Sequence, residues 1–218
     1  TVAGAETLLA ASMREGFAQS LAAGVTTLAD IGCGHWTADA WRASPVNIVG
    51  FFEAIGMGPR RCVPHLRAIE KTITDCQLMQ SAPLDDIMSR IFGISPHAPY
   101  STGPEVYQQA IDYVRSHGLP ICTHLAETRD EIEFLSLGTG PFRELLEQRG
   151  LWDGSFTPPG CSPVEYAARL GLLDRRPLLA HVNYADEADI ALLARSAASV
   201  AYCPRTHQFF RHELHPFR

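Results

Sequence analysis

The sequence is poor in lysine and in long apolar runs. Lys71 is the only lysine, and the other basic residues are arginines scattered through a chain whose formal net charge is −6. Such a charge pattern argues against a polyanion such as DNA as the main partner. The apolar runs are too short to cross a membrane, and the first residues carry no charged segment followed by an apolar one. We therefore expect a cytoplasmic protein without a nucleic-acid or membrane partner.

Paired cysteines are also lacking. The six cysteines lie far apart and form no Cys-x-x-Cys pair. This spacing argues against a disulfide scaffold and against a cysteine-rich zinc module. Reduced thiols packed as small apolar side chains are the interpretation that remains.

The 218 residues are 46% hydrophobic and 19% charged, which is typical of a folded chain with a sizeable core. Apolar, β-branched segments alternate with helical patterns of ten or more residues. The predicted strands cover residues 25–31, 46–52, 91–94, 120–125, 177–182 and 198–203. Long crossovers favour an α/β fold with a parallel sheet, either an open doubly wound sheet or most of a (β/α)8 TIM-type barrel.

Polar residues at the strand ends help to choose between these folds. Each predicted strand has one at or just past its C-terminal end: Asp30, Glu53, His97, His124, His181 and Arg205. In a barrel those ends converge on one mouth, where such folds carry their chemistry, whereas an open sheet spreads them along a line. The pattern therefore favours the barrel, represented here by about six β/α units.

His124 is the sharpest candidate for a metal ligand. The period of two along residues 120–125 places Cys122 and His124 on one face and Thr123 on the face towards the helices. Glu127 reaches the same site only if the chain turns near Ala126. The structural alternative, a core histidine followed by a helix-capping acid, stays open because a single histidine is a weak metal signal.

The other candidates have structural alternatives as well. His181 ends the apolar strand LLAHV and could instead bond a neighbouring strand, while His97 is flanked by Pro96 and Pro99 and could be loop scaffolding. Asp30 and Glu53 are weaker, since strand-end carboxylates often cap the next helix. Arg205 could clamp an anionic group or form a surface pair. The tail histidines fit no closed zinc module and are interpreted as loop residues: His207, His212 and His215.

Four segments in this order resemble a known family: SPHAPYS at 95–101, THLAET at 123–128, LLAHV at 178–182 and VAYCPRTH at 200–207. They are similar to the amidohydrolase superfamily, in its branch of metal-dependent aminohydrolases. That branch contains chlorohydrolases and deaminases of guanine, adenosine, methylthioadenosine and S-adenosylhomocysteine. The tail HQFFRHELHPF resembles members that deaminate aminofutalosine.

The resemblance implies one divalent metal, zinc or iron, with His124 as a ligand. His181 would lie at the metal and orient or deprotonate its bound water, and Glu127 would protonate a ring nitrogen. The implied substrate contacts are His97, Glu127 and Arg205. The family's His-x-His pair and its last aspartate do not match any residue here and would lie before Thr1 and after Arg218.

The expected function is a metal-dependent hydrolytic deaminase of a purine nucleoside or related N-heterocycle, in which metal-bound hydroxide attacks the ring and ammonia leaves. A chlorohydrolase, another amidohydrolase acting on a C–N or C–Cl bond, and a non-catalytic small-molecule-binding barrel are the alternatives. We expect residues 1–218 to be the central part of one barrel, close to inactive alone. Assembly into a homo-oligomer stays open.

Overall fold

The computed structural model describes residues 2–32, 44–57, 90–152 and 154–217. The chain divides into two compact units, of which the first comprises Thr1–Glu53 with Arg67–Gly93 and the second Ala54–Leu66 with Ile94–Arg218.

The first unit contains a helix and most of a three-stranded sheet. Helix α1 spans Val2–Ala22, and the strands are β1 (Thr27–Gly32), β2 (Asn47–Ala54) and β3 (Arg90–Pro96). The strand order is β1-β2-β3, and β1 runs parallel to β2 with Thr27 opposite Asn47. Strand β2 contributes buried Ile48, Phe51 and Phe52, as its β-branched and aromatic sequence predicts.

The second unit alternates helices and parallel strands. Its elements are α2 (Pro104–His117), β4 (Cys122–Leu125), α3 (Arg129–Leu137), α4 (Pro141–Gln148), α5 (Pro163–Arg169), a short 3₁₀ helix (Leu173–Arg175), β5 (Leu178–His181), α6 (Glu187–Arg195), β6 (Ser199–Ala201) and α7 (Pro204–Phe209). The sheet order is β4-β5-β6, and both strand pairs are parallel. The predicted α/β class with parallel strands is confirmed.

Helices α3 and α5 share the core of the second unit, and a contact with α2 shows which way β4 faces. Phe134 and Leu135 of α3 pack with Tyr166 of α5, and all three are buried. Behind β4, the Thr123 hydroxyl lies 2.8 Å from the hydroxyl of Tyr107 on α2. Thr123 therefore faces the helix, and the period of two turns His124 to the opposite face of the sheet, as the sequence predicts.

Two expectations about the whole chain can be compared with the described residues. In the part that the structure describes, no helix is both long enough and apolar enough to cross a membrane. Cys122, Cys161 and Cys203 are free thiols. The interpretation of the cysteines as unpaired is confirmed for these three positions.

Candidate functional site

The site is built from the second unit, and its first side chain is His97 in the loop after β3. The backbone N–H of His97 donates to the carbonyl oxygen of Ala54 at 3.0 Å. Its Nδ1 lies 2.6 Å from Ser101 Oγ, and the Ser101 hydroxyl in turn donates to the Ala98 carbonyl. Because the hydroxyl proton is used there, Ser101 Oγ accepts from Nδ1–H, which places the ring lone pair on Nε2.

His124 lies next to His97 at the end of β4. Its Nδ1 is 2.9 Å from the His97 carbonyl oxygen. A carbonyl only accepts, so Nδ1 carries the proton and the lone pair is on Nε2. The two ring centroids are 5.0 Å apart. Histidines that bind a metal through one nitrogen commonly donate the other to a carbonyl, and His124 has this arrangement.

His181 at the end of β5 stacks on His124, with the ring centroids 5.5 Å apart. Burial, reinforced by the nearby His124 and His212, lowers the pKa of His181 to about 4, so its ring is neutral at neutral pH. Its buried Nδ1 has no hydrogen-bond partner among the described residues. Among the described residues, this nitrogen therefore makes no bond to a neighbouring strand.

Glu127 reaches this cluster through a sharp turn. Ala126 has φ +50°, in the left-handed region, so the chain turns where the sequence requires it. Glu127 Oε1 lies 3.4 Å from Nε2 of His181. Since His181 is neutral, this contact is not an ion pair. The helix-capping alternative for Glu127 is wrong, because the N-cap of α3 is Thr128, whose side chain accepts from the Glu131 N–H.

The remaining predicted residues belong to other elements of the chain. Arg205 is exposed in the first turn of α7 and is not brought into the histidine cluster. Asp30 in β1 and Glu53 in β2 are half-buried in the first unit. The tail is not wholly loop, since His207 belongs to α7 and His212 Nδ1 lies 3.0 Å from the Tyr184 hydroxyl.

Sequence reasoning missed three buried polar residues that support the site. His215 Nε2 donates to the His181 carbonyl at 2.9 Å, and the Asn183 amide donates to the Glu127 carbonyl at 3.0 Å. Glu131 accepts from the backbone N–H groups of Ala126 and Glu127. Of these three, only Glu131 could have been found from the neighbouring sequence, because Thr128-x-x-Glu131 has the spacing of a capping box. The partners of His215 and Asn183 lie far away in the sequence.

Glu131 gives the protein a specific pH dependence. Burial raises the pKa of this carboxyl from 4.5 to about 8, although the two backbone N–H groups act in the opposite direction. The folded state therefore binds more protons than the unfolded state between these values, and its stability falls as pH rises through this window. We expect the free energy of unfolding to fall by several kcal/mol across it, because one pKa unit corresponds to about 1.4 kcal/mol.

Chemical denaturation at a series of pH values measures this effect. In the Glu131→Gln variant the same decline should be absent, since glutamine does not titrate. The difference between the two curves isolates Glu131 from the other titrating groups. Parallel curves for the two proteins would contradict the raised pKa.

The chain is similar in sequence to two curated deaminases. The chain is 32% identical to the aminodeoxyfutalosine deaminase of Deinococcus radiodurans over 53% of its own length and 29% of that protein. It is also 32% identical to a 5-methylthioadenosine/S-adenosylhomocysteine deaminase of Halothermothrix orenii, over 52% of this chain and 22% of that protein.

A solved structure shares the fold. An adenosine deaminase from Xanthomonas campestris with bound zinc superposes with a TM-score of 0.71 at 18% identity, covering 97% of this chain and 43% of that one. The chain thus spans less than half the length of each protein that it matches here. The sequence pattern of the amidohydrolase family matches residues 4–218, so the chain belongs to the amidohydrolase family.

Proposed function

We propose that this chain carries part of the active site of a metal-dependent deaminase that hydrolyses the exocyclic amine of an adenine nucleoside. One observation carries the proposal: the Glu127 carboxylate lies 3.4 Å from the neutral ring of His181, which stacks on His124. A carboxyl group beside two stacked imidazoles supplies both a proton carrier and nitrogen ligands. The similarity to deaminases of purine nucleosides supports the choice of substrate.

The fold proposed for the complete protein is a (β/α)8 TIM-type barrel, of which residues 1–218 are the central part. In the parallel β4–β5 pair Leu125 is opposite His181, so both histidines lie at the same end of adjacent strands. Active sites of such barrels lie at the C-terminal ends of the strands. The short coverage of the matched proteins supports the view that this segment is part of a longer barrel.

The nitrogen donors suit zinc or iron. His124 presents the lone pair of Nε2, and His181 has a buried Nδ1 without a hydrogen-bond partner among the described residues. Neutral imidazole is a common ligand of both metals. When bound, the metal lowers the pKa of a coordinated water from about 16 towards about 7, which makes hydroxide available at neutral pH.

The residues of this chain then have distinct roles. Glu127 transfers a proton to the ring nitrogen next to the carbon that is attacked, and its partly exposed carboxylate, 17% accessible, can reach both substrate and solvent. His181 stays neutral and can accept a proton from the attacking water or ligate the metal. His97, fixed by Ser101, presents Nε2 towards the substrate. Arg205 is proposed to contact a polar group at the substrate's outer end.

The cytoplasmic location expected from the sequence is part of the proposal. The free thiols of Cys122, Cys161 and Cys203 support it, because disulfides are rare in that compartment.

Ammonia release from a panel of nucleosides tests the proposed function. The zinc-loaded protein that contains this chain would be supplied with adenosine, 5′-methylthioadenosine, S-adenosylhomocysteine and aminodeoxyfutalosine. We expect ammonia and the corresponding hypoxanthine nucleoside in equal amounts from at least one of them. A chloro-triazine is the discriminating control, since chloride release from it without ammonia from any nucleoside would favour a chlorohydrolase and reject the deaminase.

A further inference from the structure

A buried carboxyl group lies directly behind Glu127. Glu131 is in the first turn of α3 and has no solvent exposure. Its Oε1 accepts from the Ala126 N–H at 3.0 Å, and its Oε2 accepts from the Glu127 N–H at 2.9 Å. In a capping box the acid at this position would reach back to the N-cap N–H of Thr128. Glu131 instead reaches one and two residues further back, to the turn that carries Glu127.

The other side of the same turn is held by the loop after β5. The Ala126 carbonyl accepts from the backbone N–H groups of Asn183 and Tyr184, at 2.9 and 3.2 Å. The Glu127 carbonyl accepts from the Asn183 side chain at 3.0 Å. All four backbone polar atoms of Ala126 and Glu127 are therefore bonded, two by Glu131 and two by the loop.

This double attachment stabilises an uncommon conformation. Alanine rarely adopts the left-handed φ of +50° that Ala126 has, and such residues persist only when the surroundings hold them. If the turn relaxed, the Cα of Glu127 would move and its carboxylate would leave the position beside His181. A misplacement of about 1 Å at a reacting group can cost about 100-fold in rate.

We propose that Glu131 is a positioning residue, which fixes the Ala126–Glu127 turn so that the Glu127 carboxylate faces the substrate ring. This inference rests on the proposed role of Glu127 as the proton carrier. A carboxyl group is suited to the task because each of its oxygens keeps a lone pair for a backbone N–H, even when one oxygen carries the proton that the raised pKa retains at neutral pH. Glutamine of the same shape offers one oxygen and one NH₂ group, and the NH₂ group opposes one of the two backbone N–H donors.

The Glu131→Gln variant tests this role in the zinc-loaded protein, with Asp130→Asn as the matched control. Asp130 precedes Glu131 on the same helix and is exposed. We expect Glu131→Gln to lower kcat by about 10-fold to about 100-fold. KM should change little and the zinc content should not change. The backbone amides of Ala126 and Glu127 should exchange with solvent faster, whereas Asp130→Asn should match the wild type in every readout.

A second variant covers the case in which Glu131→Gln does not fold. Asn183→Ala removes only the side-chain bond to the Glu127 carbonyl, so it should show the same pattern with a smaller fall in kcat. Faster amide exchange with unchanged kcat, in whichever variant folds, would overturn the positioning role.

Hydrogen exchange also separates this inference from the proposed function. If the wild type deaminates no nucleoside but its Ala126 and Glu127 amides are protected, the proposed function is rejected. The conclusion that Glu131 fixes the turn is then retained. If the Ala126 and Glu127 amides of the wild type are unprotected, Glu131 does not fix the turn, whatever the activity.

Discussion

Replacing Glu127 by glutamine should lower kcat for nucleoside deamination by about a thousandfold. The amide has nearly the same shape but cannot give up and regain a proton, and acid–base catalysis by a positioned side chain contributes about 10²-fold to 10⁴-fold. The backbone of Glu127 is held by Glu131 and Asn183, so the variant should fold as the wild type does. Steady-state kinetics with the best nucleoside of the panel measure the effect.

The zinc content provides the internal check on this prediction. Glu127 contacts His181 but is not proposed as a ligand, so Glu127→Gln should bind as much zinc as the wild type. Glu144→Gln, at an exposed position of α4, is the matched carboxylate-to-amide control and should keep full activity. Unchanged turnover in Glu127→Gln would remove Glu127 from the mechanism.

Replacing His124 by alanine should abolish metal binding rather than chemistry alone. Loss of residues that merely support a ligand costs about 10-fold to 100-fold in metal affinity, and loss of a ligand should cost more. His124 is also hydrogen-bonded through Nδ1 to the His97 carbonyl. The variant therefore loses both the nitrogen proposed to bind the metal and the hydrogen bond that orients the ring. We expect a zinc content near zero after dialysis, measured by elemental analysis, with activity lost in proportion.

His117→Ala is the control for this experiment. His117 is exposed at the end of α2, and its Nδ1 contacts the Tyr113 carbonyl. Its removal should leave the zinc content unchanged. Full zinc occupancy in His124→Ala would reject the ligand assignment, whereas loss of zinc there with retention in Glu127→Gln would separate the metal from the proton carrier.

The parts of the site that the sequence predicts are those with a local period. Alternation along β4 separates Thr123 from His124. A histidine lies next to last in β4 and last in β5, so the convergence of the two side chains follows from parallel pairing. The turn at Ala126 is required by simple geometry, because Glu127 would otherwise face away from His124. These features depend on a few adjacent residues, which is why pattern reasoning finds them.

The features that the sequence does not predict depend on long-range packing. The bond from His215 to the His181 carbonyl joins residues 34 apart, and Asn183 reaches Glu127 across 56 residues. Glu131 appears in the sequence as an ordinary acid in the first turn of a helix. Its burial becomes visible only when α3 packs with α5 in the core, and that burial makes Glu131 a supporting group of the site. The division into two compact units likewise has no local signal.

Deamination in ¹⁸O-labelled water tests the central claim most directly. The zinc-loaded protein would convert the best nucleoside of the panel, and mass spectrometry would follow the product while ammonia is measured in parallel. The account predicts one ¹⁸O atom in each hypoxanthine product, one ammonia per product, and loss of both on removal of zinc by a chelator. Turnover that persists without metal, or a product oxygen that does not come from water, would contradict it.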